Sequence, residues 1–347
     1  MPEDDNLVLP ADQGKRDAAG ATVRGGRFFH RYSIFFDTIL QNSAYLSKTP
    51  CLPMLAGIPI HTAMKLTIDQ DKCIHCHLCE KACFLIRFCG FDSLEGAAEQ
   101  YCIGCGHCVA VCPRQAITHS GVKSTEPIGP VPGEAEVLNL LMKTRSVRHF
   151  KPDPVSRETW NVLRRAAEYS QSGLNAQSIR LTAVEDPDTL SGIRKALLRM
   201  YDKLERLAAF PVTRLAARLS LSPQDYHAVI SETATQPLRR QAAERGEDPV
   251  LYGAPALLLL TGPASQTARE DATVLSHNIM VALTALGLGS CYMGGLVLGC
   301  RVFKYKPLLR ALDLPKGHAV HQALVLGTPT VQLKRMPERK RREIRFR

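Results

Sequence analysis

Apolar positions along the chain change period several times. Over residues 156–169 (SRETWNVLRRAAEY) they recur at helical spacing, which predicts a helix with Ser156 as N-cap. Short apolar runs at 181–184, 256–261 and 323–326 predict buried strands, and a long, mostly buried helix is expected over 269–288, ending at Gly287 or Gly289. Residues 189–245 read as mainly helical and as an insertion on that core. Residues 27–46 place Phe28, Tyr32, Phe35, Phe36, Ile39 and Leu40 at helical spacing. Such a face suits a membrane surface, but packing on the protein itself or on a second subunit is the favoured reading, because apolar helical faces usually bury themselves.

Two stretches lack any hydrophobic period. Residues 1–26 are Gly- and Ala-rich with mixed charge and are expected to be mobile. Residues 121–134 (GVKSTEPIGPVPGE) read as a linker, partly extended by three prolines. The chain therefore divides into an N-terminal extension (1–65), a cysteine-rich domain (66–120), the linker (121–134) and a larger domain (135–347).

Composition narrows the class. With 347 residues, 45% hydrophobic and 22% charged, the chain is globular and too long for one small core. No apolar run reaches the roughly 18 residues of a membrane-spanning helix, and the opening MPEDDNLVLP does not read as a secretory signal. A cytoplasmic protein is expected, and in that setting twelve cysteines point to metal or redox chemistry rather than disulfides. The net charge of +11 is uneven: residues 124–347 hold 32 basic and 21 acidic groups, while 1–65 hold seven and six and 66–123 hold five and six. Such a surplus fits nucleic acid, an anionic membrane surface, or a phosphate-bearing cofactor with an anionic redox partner. No nucleic-acid motif occurs, so no nucleic-acid partner is expected, and no G-x-G-x-x-G follows a strand to bind a dinucleotide.

The cysteines supply the strongest signal. Cys73-Ile-His-Cys76-His-Leu-Cys79-Glu-Lys-Ala-Cys83 recurs 29 residues later as Cys102-Ile-Gly-Cys105-Gly-His-Cys108-Val-Ala-Val-Cys112-Pro113. A C-x2-C-x2-C-x3-C-P run supplies four thiolates to cubane iron–sulfur clusters, the fourth cysteine of each run serving the other cluster. One [4Fe-4S] cluster would then take Cys73, Cys76, Cys79 and Cys112, and the second Cys102, Cys105, Cys108 and Cys83. Zinc sites pair two C-x2-C units across a longer gap and leave the third cysteine of each run without a use. Phe84 stands where a proline usually follows, and Cys89 is a minor alternative to Cys83. Cys51, Cys291 and Cys300 are isolated and read as small buried residues, and His75, His77 and His107 as exposed filler. The segment resembles the bacterial two-cluster ferredoxins. Two filled clusters would make it acidic beside a basic larger domain, so the two should attract.

Beyond the linker, Lys143-Thr-Arg145-Ser146-Val-Arg148 gathers two guanidinium groups and a hydroxyl suited to a terminal phosphate. Ser172-Gly-Leu-Asn175-Ala-Gln177, Asp248 to Pro255, Gly287-Leu-Gly289-Ser-Cys-Tyr292-Met293-Gly294, and Lys334-Arg335 follow in order. In that order they resemble the nitroreductase family, and with the cysteine repeat the ferredoxin–nitroreductase fusions, over about residues 66–347. The resemblance implies an α+β fold: a small ferredoxin domain, then an FMN domain with a central, mostly antiparallel sheet flanked by helices. It also implies phosphate and ribityl contacts from Arg145, Ser146, Arg148 and Arg335, a ring-lining loop with Ser172, Asn175 and Gln177, and backbone amides of Tyr292, Met293 and Gly294 at the ring edge. A homodimer with FMN sites built from both chains is implied too. Thr144 stands in place of a frequent arginine and Ser178-Ile179 in place of Pro-Trp, departures that bear on substrate more than on FMN.

The activity this implies is an FMN-dependent oxidoreductase. It would pass electrons from the clusters to FMN and on to a nitroaromatic, quinone or similar electron-poor small molecule, with a ferredoxin-type or NAD(P)H donor. The alternatives are a non-catalytic electron carrier or redox sensor, and a family member performing reductive dehalogenation or another reduction.

Overall fold

The computed structural model describes residues 64–347; the aromatic segment 27–46 and Cys51 lie outside them. The cysteine-rich segment opens with β1 (Leu66–Ile68) and closes with β2 (Ile117–His119), paired antiparallel with Leu66 opposite His119. Between them run four short helices: α1 (Leu78–Ala82), α2 (Phe84–Cys89), α3 (Leu94–Tyr101) and α4 (His107–Val111). Ser93 caps α3, its hydroxyl accepting from the Gly96 amide. Leu66, Leu94, Ala98 and Ile117 form a small core of their own.

Residues 121–133 contain no helix or strand, and α5 (Glu134–Lys143) follows. Glu126 ion-pairs with Arg165 at 2.8 Å, which lays this stretch along α6 (Arg157–Glu168). Ser156 caps α6 by accepting from the Thr159 amide. A single turn at Gly173–Asn175 leads into β3 (Arg180–Val184). Four helices come next: α7 (Pro187–Ala208), α8 (Pro211–Ser220), α9 (Pro223–Ala234) and α10 (Gln236–Glu244). The chain ends with β4 (Ala256–Pro263), α11 (Gln266–Ala285), β5 (Gly289–Tyr292), α12 (Gly294–Arg301), α13 (Lys306–Leu312) and β6 (His318–Gly327). The helix expected over 269–288 is thus α11, shifted three residues earlier, with Gly287 in the left-handed region just past its end.

Strands β3–β6 form one antiparallel sheet in the order β3-β4-β6-β5. Both faces of its centre are covered. Leu257 and Leu259 of β4 and Ala323 and Val325 of β6 pack with α7, α12 and α13, while Ala256, Leu258, Leu260, Leu324 and Leu326 pack with α6 and α11. Burial on both sides explains why these strands read as unbroken apolar runs. α7 corrects an expectation: Leu190, Ile193, Leu197, Met200, Tyr201 and Leu204 are buried in the first of these cores, so this part of 189–245 is core and not an insertion. α8 is exposed, with Phe210, Val212, Leu215 and Leu219 in solvent. Cys291 and Cys300 are buried core residues, as their isolation implied.

The sharpest steric constraint joins α7 to α12. A methyl group built on Gly295 would lie 1.8 Å from the hydroxyl of buried Tyr201, whose ring is also covered by the Arg239 guanidinium at 4.2 Å. Gly295→Ala is therefore expected to destabilise the protein by roughly 1–3 kcal/mol through overpacking, read as a lowered midpoint in chemical denaturation.

Candidate functional site

The antiparallel closure of β1 on β2 and the packing of α1 against α4 bring the cysteine runs together. Cys83, Cys102, Cys105 and Cys108 line one cavity of about 230 Å³. Cys73, Cys76, Cys79 and Cys112 line a second of about 30 Å³. The last cysteine of each run thus lies with the first three of the other. Backbone amides already turn toward sulfur: Gly104 N–H donates to Cys102 Sγ and Ala116 N–H to Cys112 Sγ, each at 3.3 Å. Burial pushes the Cys108 thiol up to about 11 and raises those of Cys79 and Cys102, so these positions hold neutral thiols unless a cation is present. Iron supplies that charge and deprotonates a coordinating thiol. Among the described residues no three His, Cys, Asp or Glu converge at single-ion spacing. Cys83 lines its cavity directly, whereas the Cys89 side chain is outside what is described. His75, His77 and His107 are exposed, and His77 Nδ1 pairs with Glu80 at 2.9 Å.

His119 was not among the expected site residues. It is buried, and its Nδ1 accepts the Gly121 amide at 3.0 Å. That bond leaves Nε2 to carry the proton, and Nε2 lies 3.3 Å from Cys102 Sγ. Burial without a counter-charge lowers its pKa and keeps the ring neutral. The sequence carries only a faint signal, a histidine closing β2 just after the second run.

The basic run is stitched to the sheet. Ser146 bridges Ser290 of edge strand β5 in parallel, and Val147 N–H donates to Ser290 O at 2.9 Å. Gly289 accepts this approach because it has no side chain: a methyl there would stand 2.6 Å from Val147. Farther on, Phe150 pairs with Pro329 and Lys151 N–H donates to Thr328 O. The result is a cavity of about 410 Å³ lined by Lys143, Arg145, Ser146, Arg148, Leu288 and Met336, among others. Arg145 donates from Nη1 to Thr144 O at 2.8 Å, while its buried Nε has no partner. A buried donor left open beside two further cationic side chains is a fit for a phosphate. Arg335 is exposed and does not line this cavity, although the arm bearing it contributes Gln332, Leu333 and Met336.

Ser172 and Gln177 line a different cavity, of about 230 Å³, with Ser178, Ile179 and Asp271. Ser172 Oγ accepts the Gln177 amide at 3.1 Å, and the buried Asp271 carboxylate accepts the Gly173 amide at 2.9 Å. Asn175 faces elsewhere: its Nδ2 donates to Ile103 O at 3.1 Å and Gly104 O at 3.0 Å, inside the second cysteine run. At the β5–α12 corner, Tyr292 OH pairs with Ser276 Oγ at 2.9 Å and Met293 N–H donates to Ala323 O at 2.8 Å. The Met293 amide is therefore engaged, against the expectation that all three amides of 292–294 face a ligand. Gly294 is exposed as the first residue of α12, where an amide has no acceptor within the helix.

Thiols gathered for clusters, a basic cavity with an open guanidinium donor and a doubly covered antiparallel sheet define an α+β redox protein of two joined modules. The model of the nitroreductase family matches residues 141–328, and that of a 4Fe-4S binding domain matches 66–84 and 99–118. The chain belongs to the nitroreductase family and carries a 4Fe-4S binding domain in the same polypeptide; it is an oxidoreductase of that family. It is similar to nitroreductase NfnB of Mycolicibacterium smegmatis, 26% identical over 48% of this chain and 74% of that protein. A short match, 37% identical over 14% of this chain and 11% of the relative, is to the NADP-reducing hydrogenase subunit HndD of Solidesulfovibrio fructosivorans. Similar solved structures include an FMN-dependent nitroreductase from Clostridium difficile R20291 (23% identity, 62% of this chain, 100% of that chain, TM-score 0.44). An iodotyrosine deiodinase bound to FMN and 3-iodo-L-tyrosine is another (21%, 61%, 97%, TM-score 0.41). Among the described residues, no helix is long and apolar enough to cross a membrane.

A donor to a cluster thiolate favours the more negative, reduced state. His119→Leu is expected to keep iron content unchanged while lowering the midpoint potential of one of two clusters, resolved by redox titration followed by electron paramagnetic resonance.

Proposed function

We propose that the protein is an FMN-dependent oxidoreductase that takes electrons in through its ferredoxin segment and delivers them to an electron-poor small molecule. FMN would be held at its phosphate by Arg145, Ser146 and Arg148, with the eight thiols holding two [4Fe-4S] clusters. When bound, these groups supply one-electron relay at the clusters and conversion to two-electron reduction at the flavin.

The observation carrying this reading is the Arg145 environment. Its Nη1 is tied to Thr144 O, which aims the guanidinium, and its buried Nε is left without a partner at a cavity that Ser146 also lines. Ser146 is itself fixed by its bridge to Ser290, so cation and hydroxyl are positioned before any ligand arrives. Gly294 offers a backbone donor at the other end of β5, suited to charge developing on a reduced ring without introducing a titratable side chain.

A homodimer forms part of the reading. Within one chain the basic cavity and the Ser172–Gln177 cavity share no lining residue, and in the homodimer the second copy would bring the two kinds of lining together. The acceptor is an electron-poor compound such as a nitroaromatic or a quinone, and the donor a reduced ferredoxin or NAD(P)H docking over the flavin.

Anaerobically purified protein is expected to contain iron, acid-labile sulfide and FMN together; full clusters without flavin would end the proposal. Arg145→Ala removes charge-assisted bonds to the phosphate, worth about 1.5–3 kcal/mol, so FMN should bind roughly 10- to 100-fold more weakly while cluster absorbance persists. Cys105→Ala should cost one cluster and slow reduction through the ferredoxin segment, with dithionite still reducing FMN.

A further inference from the structure

The loop at 172–177 is held in an unusual shape. Leu174, Asn175 and Gln177 all have positive φ, at 52°, 53° and 45°, and only asparagine adopts that region readily. The loop is pinned from behind. Asp271 of α11 accepts the Gly173 amide, and Thr267 comes so close that a methyl on Gly173 would lie 2.5 Å from it. Ser172 Oγ closes the turn by accepting from Gln177 N–H.

That shape presents the Asn175 amide to the cysteine-rich segment. Both Nδ2 hydrogens are used, on the carbonyls of Ile103 and Gly104, the two residues between Cys102 and Cys105. Gln177 Nε2 donates to Asn175 Oδ1 at 3.0 Å, which fixes which end of the amide points at those carbonyls. On the other side, Gly104 has φ +65°, so its backbone is bent to meet the contact. The seat of Cys83, Cys102, Cys105 and Cys108 is therefore bonded to the loop that lines the Ser172–Gln177 cavity. Both seats are lined only by residues of the cysteine-rich segment, so what sets this one apart is the pair of Asn175 bonds at its Cys102–Cys105 loop.

We propose that Asn175 is a positioning residue that clasps the Cys102–Cys105 loop to the flavin-side loop, making the Cys83/Cys102/Cys105/Cys108 seat the exit for electrons and the Cys73/Cys76/Cys79/Cys112 seat their entrance. The inference rests on the proposed function. Electrons come from a reduced ferredoxin-class donor, two for each two-electron reduction of acceptor, with the accompanying protons from solvent. The amide moves no proton and no electron. It holds two modules, otherwise joined through residues 121–133, at one fixed separation.

The test uses full-length protein carrying Asn175→Asp or Asn175→Gly. Both tolerate positive φ; the first turns the donor into an anion facing two carbonyls, and the second removes it. Hydrogen–deuterium exchange should rise at 102–106 and 172–177 in both variants, with α11 and the β4–β6 pairing protected as in the parent. In stopped-flow measurements, flavin reduction fed through the clusters should fall by roughly tenfold or more relative to flavin reduction by dithionite in the same variant, a ratio that general loosening of the fold would not move. Unchanged exchange at 102–106, or an unchanged ratio, overturns the clasp. Parent protein lacking flavin or iron would instead overturn the proposed function beneath it.

Discussion

The pairing of Ser146 with Ser290 is the contact on which the basic site depends. A run of cations at the end of a helix is ordinarily a solvated surface whose side chains sample many rotamers. Bridging the run to edge strand β5 fixes its backbone, and the absence of a side chain at Gly289 permits the approach. The same strand ends at Tyr292 and turns at once into α12, so one four-residue strand anchors the basic cavity at one end and the exposed Gly294 amide at the other. Because β5 pairs with β6, itself buried by helices on both faces of the sheet, the precision of the site derives from the deepest core of the molecule.

Two electrostatic regimes meet in this chain. In the cysteine-rich segment, low polarity raises thiol pKa values, and the positive charge that would offset this has to come from metal. In the larger domain the charge is built in, as guanidinium groups aimed by carbonyls and left with an open donor. One half is thus arranged to receive cations and the other to receive an anion. Filled clusters leave the cysteine-rich segment net negative beside a basic larger domain, which favours contact between them.

Much of this was legible along the chain, and the exceptions have physical causes. Cysteine spacing is read directly because coordination geometry dictates it, and Ser156 because a cap acts within three residues. The strands were found since burial on both faces leaves runs such as 256–261 wholly apolar. The polar positions of α7, set among Leu190, Ile193 and Leu197, resemble those of a surface helix, and only the packing of α12 and α13 shows where its apolar face goes. The Met293 amide is claimed by Ala323, 30 residues away, and the Asn175 amide by carbonyls 71 and 72 residues away, partners that no local pattern can name. His119 escaped for a related reason, since its significance lies in a tautomer fixed by Gly121 and a sulfur brought near by folding.

β1 and β2 lie side by side, with the first strand of the cysteine-rich segment opposite the last. Entry and departure of the polypeptide thus coincide at one corner of that small unit. A unit of this kind can be spliced into, or out of, a host gene without prising the host apart, and adding it extends the host at a single seam. The larger domain meets the unit at one loop, where Asn175 bonds Ile103 O and Gly104 O.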